Sequence, residues 1–210
     1  MITEEMLETL RADVAAGMSE KRFRHTAEVE KMVACLAALY APQKEHMLRA
    51  AALLHDLTKE YATDDQLRLC AVHGLVVTEN DLGAPKTFHA RTAAAEIPYR
   101  YPAFADEELL SCVRYHTTGR RDMTLEEKLV YLADYIDMSR TFADCATLRN
   151  AFFDANPENM STEERLRHLD DVLILSFDMT IRALLEEGVP ISPDSFEARN
   201  ALIAKRMRRH

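Results

Sequence analysis

The sequence predicts an all-α domain, on two observations. Helix-capping signals recur from one end to the other, and the period-2 alternation of Val, Ile and aromatic residues that would mark strands is absent. Thr3 can cap a first helix through about Val14. Ser19 caps a second, whose apolar positions Phe23, Ala27, Val33, Leu36 and Tyr40 form one stripe. A third runs from about Lys44 to Leu57. Its core, Ala50-Ala51-Ala52-Leu53-Leu54, is apolar nearly all round, which places it at the centre of the bundle with His55 and Asp56 at its end.

From Asp64 to Lys86 the pattern is less regular: a short helix to about Val72, then Gly74, Gly83 and Pro85, the composition of a mobile flap. A helix from about Thr87 to Ile97 meets Pro98, and another from Asp106 to His116 stops before Thr117-Thr118-Gly119. Thr124 and Glu127 have capping-box spacing and open a helix through about Ile136. Ser161 and Glu164 repeat that signal for a long helix ending at Glu187-Gly188, where glycine can take the left-handed conformation. A last helix starts near Ser192-Pro193. The whole reads as a single domain over 1–210, with a catalytic core at about 19–140 and a helical extension at about 145–207.

Composition narrows the function. The net charge of −9 argues against a nucleic-acid groove, and five widely spaced glycines build neither a dinucleotide fingerprint nor a P-loop. Cys35, Cys70, Cys112 and Cys145 form no C-x-x-C pair and read as reduced core thiols. With an acidic N-terminus and no run of membrane-span length, the expectation is a soluble, unprocessed, cytoplasmic protein with no membrane partner. His46, His73, His168 and His210 have no partners at ligand spacing and are assigned to the surface. The basic tail Lys205 to Arg209 needs no partner beyond its helix dipole.

Six residues at helix ends or beside turns carry the chemistry: His25, His55, Asp56, His89, His116 and Asp134. A buried apolar helix has no ordinary use for two adjacent polar groups, and a buried carboxylate needs a partner such as a metal. Four imidazoles and two carboxylates suit iron, manganese or cobalt better than the thiolate sites of structural zinc. Six ligands exceed what one open ion needs and suit two ions sharing a bridging carboxylate.

The order H…HD…H…H…D resembles the HD-domain metal-dependent phosphohydrolases and, within them, the YqeK family. The resemblance rests on Asp56 with Lys59, Arg114-Tyr115-His116-Thr117-Thr118-Gly119, Leu132 through Arg140 and Pro193-Asp194-Ser195-Phe196, in order over nearly the whole chain. Two positions depart from the family: Ala90-Arg91-Thr92-Ala93 follows His89 where small residues lead to a glycine, and Met138 stands for a proline. The resemblance implies that His25, His55, Asp56 and Asp134 hold one metal, iron first among the candidates, and that His89 and His116 serve the second with Asp56 bridging. It implies symmetrical hydrolysis of diadenosine tetraphosphate to two ADP by a hydroxide held between the metals, with Asp56 and Lys59 as catalytic residues. Lys59, Thr117, Thr118, Gly119, Arg140 and Arg22 are the expected phosphate contacts. Asp137 is expected to orient a ligand or to pair with Arg140. A homodimer is compatible with this reading. The alternatives are another HD-type reaction, on a nucleotide phosphate or a cyclic dinucleotide, and a non-catalytic metal and nucleotide sensor.

Overall fold

The computed structural model describes residues 1–208; Arg209 and His210 lie outside the described residues. Every regular element among them is helical: α1 (Glu4–Gly17), α2 (Glu20–Tyr40), α3 (Glu45–Leu54), α4 (Thr63–Val72), α5 (Glu79–Gly83), α6 (Phe88–Arg100), α7 (Glu107–Tyr115), α8 (Leu125–Ile136), α9 (Ala143–Phe153), α10 (Thr162–Glu187) and α11 (Pro193–Met207), with short 3₁₀ turns between them. The caps read from sequence form: Thr3, Ser19, Thr124 and Ser161 each accept a backbone N–H of the first turn, and Asp106 does the same for α7. Thr124 with Glu127 and Ser161 with Glu164 close complete capping boxes. Gly188 ends α10 at φ 66°.

α3 is the axis. Leu48 and Ala50 to Leu54 are fully buried, and the helix packs on α1, α2, α7 and α8. α8 is nearly as enclosed, with Leu129 to Ala133 and Ile136 at no exposure, because α2, α3, α7 and α9 all pack on it. α10 and α11 pack together, and Phe177, Ala198 and Leu202 join the same hydrophobic core.

Several expectations are corrected. α9 was not anticipated: its cap position is Phe142, which supplies no side-chain bond, and its buried face is only Cys145, Leu148 and Phe152. α3 stops at Leu54, three residues early, and residues 55–61 continue in tighter turns through Leu57 N–H to Leu54 O, Lys59 N–H to Asp56 O and Tyr61 N–H to Thr58 O. α6 runs through Pro98, which removes one donor, and closes at Tyr101 N–H to Ile97 O, 2.7 Å. The irregular stretch holds a second helix, α5, with its own capping box of Thr78 and Asp81. Cys35 is exposed, so only three of the thiols belong to the interior. Two of the surface histidines are half-buried with partners: His73 Nε2 lies 2.6 Å from Glu96 Oε1 and His168 Nε2 lies 2.9 Å from Phe152 O.

Candidate metal centre

Five helices deliver the six predicted residues to one place. His25 projects from the second turn of α2, His89 from the first turn of α6 and Asp134 from the last turn of α8, while His55-Asp56 and His116 sit just past the ends of α3 and α7. All but His25 are less than a tenth exposed.

The imidazoles are oriented by backbone. His55, His89 and His116 each donate Nδ1–H to the carbonyl three residues earlier, Ala52 at 2.6 Å, Lys86 at 2.7 Å and Val113 at 2.7 Å. With that proton placed, each Nε2 carries a lone pair and faces the cluster. His89 Nε2 and His116 Nε2 are 3.1 Å apart, and His55 Nε2 is buried without a hydrogen-bond partner. Lone pairs that face one another are repulsive unless a cation lies between them. His25 is held differently, with Nδ1 3.3 Å from Ser139 Oγ and 3.4 Å from Asp137 Oδ2, and Nε2 2.9 Å from Asp134 Oδ1.

Asp56 stands in the middle with its two oxygens divided. Oδ1 is 3.2 Å from His89 Nε2 and 3.8 Å from His116 Nε2; Oδ2 is 3.3 Å from His55 Nε2 and 3.7 Å from His25 Nε2. Two overlapping groups, His25–His55–Asp134 and His55–Asp56–His116, bring one ligand atom from each residue within 4.8 Å of the others. The mixed nitrogen and oxygen donors, unfilled lone pairs and split carboxylate fit divalent transition-metal ions.

Burial alone would raise the Asp56 and Asp134 pKa values, but the imidazoles of His55 and His89 beside Asp56, and Arg140 and His25 beside Asp134, outweigh it and hold both carboxyls well below the usual range. Burial pushes His89 down, and burial with the neighbouring His55 pushes His116 further down, so both are neutral donors. At His25, burial is outweighed by Asp134 and Asp137, and the pKa is pushed up to about 9. A metal taking this nitrogen must therefore displace a proton.

Cations close the site. Arg22 Nη1 is 2.6 Å from Asp56 Oδ2, and Arg140 Nη2 is 2.5 Å from Asp134 Oδ1 with Nε 3.3 Å from Asp137 Oδ2. Asp137 thus meets both expectations, touching His25 and pairing with Arg140. Lys59 Nζ sits 3.3 Å from both ring nitrogens of His89. A cavity of about 440 Å³ opens here, lined by Lys59, Thr117, Thr118, Asp134 and Arg140 and walled by segments 83–87 and 187–195. Thr117 Oγ1 is buried without a partner.

Two expected phosphate contacts are engaged within the chain. Arg22 does not line this cavity and is engaged with Asp56. Gly119 donates its N–H to Tyr115 O at 2.9 Å as the stop of α7, and at φ 62° a Cβ there would meet Phe177 Cζ at 2.7 Å. Its conformation and close packing account for the glycine without a ligand.

Some participants left no local sequence signal. Ser139 orients Asp137 through two hydrogen bonds, and Thr180 and Tyr135 line the cavity while bonded to each other at 2.9 Å. Ser195 did leave a trace, in the Pro193-Asp194-Ser195-Phe196 element; its hydroxyl donates to Thr118 O at 3.1 Å and ties α11 to the loop after His116.

The chain is similar to known proteins over most of its length. The HD domain model matches residues 22–139. A protein of Bacillus subtilis named symmetrical bis(5'-nucleosyl)-tetraphosphatase is 29% identical over 193 residues, 92% of this chain and 95% of that protein. One of the same name from Halalkalibacterium halodurans is 28% identical over 190 residues, 90% and 93% of the two chains, and one from Staphylococcus aureus is 33% identical over 135 residues, 63% and 67%. A crystal structure from Clostridium acetobutylicum, described as a predicted HD superfamily hydrolase involved in NAD metabolism, superposes with a TM-score of 0.80 at 28% identity over 94% of this chain and 97% of that one. Because the family match spans more than half of the sequence and takes in all six converging residues, this chain belongs to the HD-domain family.

Proposed function

We propose that the protein hydrolyses dinucleoside tetraphosphates, diadenosine tetraphosphate first among them, at the central anhydride to give two nucleoside diphosphates. The observation that carries the chemistry is the divided Asp56 carboxylate, one oxygen toward His89 and His116 and the other toward His25 and His55. The substrate class comes from the tetraphosphatases that match about nine-tenths of the chain. His25, His55, Asp56 and Asp134 would hold one ion and His89 and His116 the second, with Asp56 shared and iron first, then manganese or cobalt.

The chemistry that two divalent ions would supply when held by these residues is an activated water at neutral pH and an offset to charge on the phosphates. Lys59 and Arg140, at the cavity wall, neutralise a polyphosphate that a chain of net charge −9 would otherwise repel. Thr117 offers its unpartnered hydroxyl to a phosphate oxygen. In the balanced reaction, water oxygen bonds to one central phosphorus, that phosphorus loses its bond to the bridging oxygen, and a nucleoside diphosphate leaves with that oxygen. Such a substrate is an intracellular nucleotide, in keeping with a cytoplasmic site of action.

The test is to load anaerobically purified protein with iron, manganese or cobalt in turn, add diadenosine tetraphosphate and separate the products. ADP alone is the expected result. ATP with AMP, or no product despite stoichiometric metal, overturns the reading.

A further inference from the structure

The substrate carries two nucleosides, and the cavity beside Asp134 is one chamber of about 440 Å³. A second cavity, of about 290 Å³, lies on the other side of the Tyr135–Thr180 hydrogen bond. Tyr135, Thr180 and Leu184 line both, so side chains of α8 and α10 form the ridge between two adjoining lobes. The far lobe is lined by Phe142, Leu148, Met179 and Ala183, with Asp144 as its one charged lining residue. Phe142 is 71% exposed at the start of α9, where it makes no cap bond. Arg140 stands near the junction. Its guanidinium lies 5.8 Å from the ring centroid of Tyr135, which lines both lobes.

We infer that this far lobe is the second nucleoside site: it takes the nucleobase and ribose of the leaving half while the other half occupies the lobe beside the metal centre. The inference rests on the proposed hydrolysis. A cut at the middle of a symmetrical substrate leaves both nucleosides at equal chain length from the bridging oxygen that is cut, so a site on one side calls for a counterpart on the other. An apolar, aromatic-rimmed lobe suits a flat base. Asp144 can accept a hydrogen bond from an exocyclic amine or a ribose hydroxyl. Arg140 lies where the phosphate chain would cross the ridge.

Two variants test this on the metal-loaded enzyme. Ala183→Phe fills the far lobe, since Ala183 lines that lobe alone, and Phe142→Ala removes its aromatic rim. The KM for diadenosine tetraphosphate should rise about tenfold in each, a loss of about 1.4 kcal/mol. The inhibition constant of adenosine 5'-tetraphosphate, which has the same phosphate chain and one nucleoside, should stay within about twofold of wild type. The chain has no tryptophan. Phe142→Trp therefore gives a single tryptophan whose emission a methylene-bridged, non-hydrolysable diadenosine tetraphosphate should quench. Unchanged KM in both variants, equal weakening of both ligands, or an unquenched tryptophan overturns the inference while leaving the hydrolase reading intact. So does a shift in monomer–dimer equilibrium in Ala183→Phe by sedimentation, which would make this face a contact between copies. A metal-loaded wild type that does not cleave diadenosine tetraphosphate overturns the hydrolase reading and the inference with it.

Discussion

Two buried polar clusters sit on the same helix six residues apart, and they are built on opposite plans. Near the start of α8, Lys128 Nζ donates to Asp170 Oδ1 at 2.7 Å, and Lys205 Nζ lies 2.8 Å from Asp170 Oδ2, so one carboxylate is held between two ammonium groups of this chain. At the far end, Asp134 joins a cluster in which imidazole lone pairs face one another and His55 Nε2 meets no donor. The first cluster is satisfied from within and locks α10 and α11 onto α8. The second is assembled at the cost of unsatisfied buried groups, which persists only if something absent from the chain completes it. The difference separates a structural use of burial from a functional one.

The sharpest way to break that contrast is Asp56→Ala. If Asp56 is shared between two ions, the variant should lose bound metal and at least about a thousandfold in turnover together, the scale of removing central electrostatic stabilisation. Metal analysis beside product chromatography reads both. Stoichiometric metal with retained turnover would mean that the cluster does not need its central carboxylate.

Asp170→Asn should do the reverse. Burial is the largest influence on Asp170 and would raise its pKa, yet Lys128 and Lys205 outweigh it and hold it below 3.8. Burial pushes Lys128 down from 10.5, so the ammonium remains only partly compensated. Removing the carboxylate leaves Lys128 buried without its counter-charge, at a cost of about 3 kcal/mol in unfolding free energy. Turnover per folded molecule should stay at wild type. The sign with pH follows from a depressed carboxyl: its contribution is present in full above its unfolded pKa near 4 and is lost as pH falls through the folded value. Denaturant unfolding of wild type and variant should therefore converge as pH drops below 4. Parallel curves would show that Asp170 does not hold the cluster together.

What was legible in the sequence follows the same division. Helix starts were readable because Thr3, Ser19, Asp106, Thr124 and Ser161 act within their own first turn, and α9 was not because Phe142 gives no such signal. The six converging residues were found because each lies in a short ordered motif. The Lys128–Asp170–Lys205 cluster was invisible because its members are 42 and 35 residues apart and belong to no motif. The backbone anchors of His55, His89 and His116 were equally hidden: they depend on each histidine standing three residues past a carbonyl that tertiary packing aims inward. Lys59 comes beside His89 although α3 has already ended, through the tighter turns of residues 55–61.

Lys59→Ala should have a smaller and more selective effect than either carboxylate change. Lys59 lines the cavity but ligates nothing in this arrangement, so metal content should survive. A charged contact to phosphate is worth about 1.5–3 kcal/mol, which corresponds to roughly ten- to a hundredfold in kcat/KM. Loss of metal in this variant would assign Lys59 to the architecture of the centre.

The finest test compares two hydroxyls at one loop. Ser195 Oγ is committed to Thr118 O at 3.1 Å, while Thr117 Oγ1, one residue away along the chain from that carbonyl, is buried and bonded to nothing. Ser195→Ala should cost about 1 kcal/mol of stability, the net value of one hydrogen bond, and change KM only as far as the Thr117–Thr118 loop loosens. Thr117→Val keeps the side-chain shape and deletes a hydroxyl that satisfies nothing in the fold, so thermal unfolding should move by less than about 0.5 kcal/mol or rise slightly. Its KM for diadenosine tetraphosphate should increase severalfold, because the lost partner belongs to the ligand. If instead Thr117→Val destabilises the protein while KM stands, the unpartnered oxygen is a packing feature of the fold. The rule that unsatisfied groups mark the functional cluster would then stop at the metal ligands and not extend to the cavity wall.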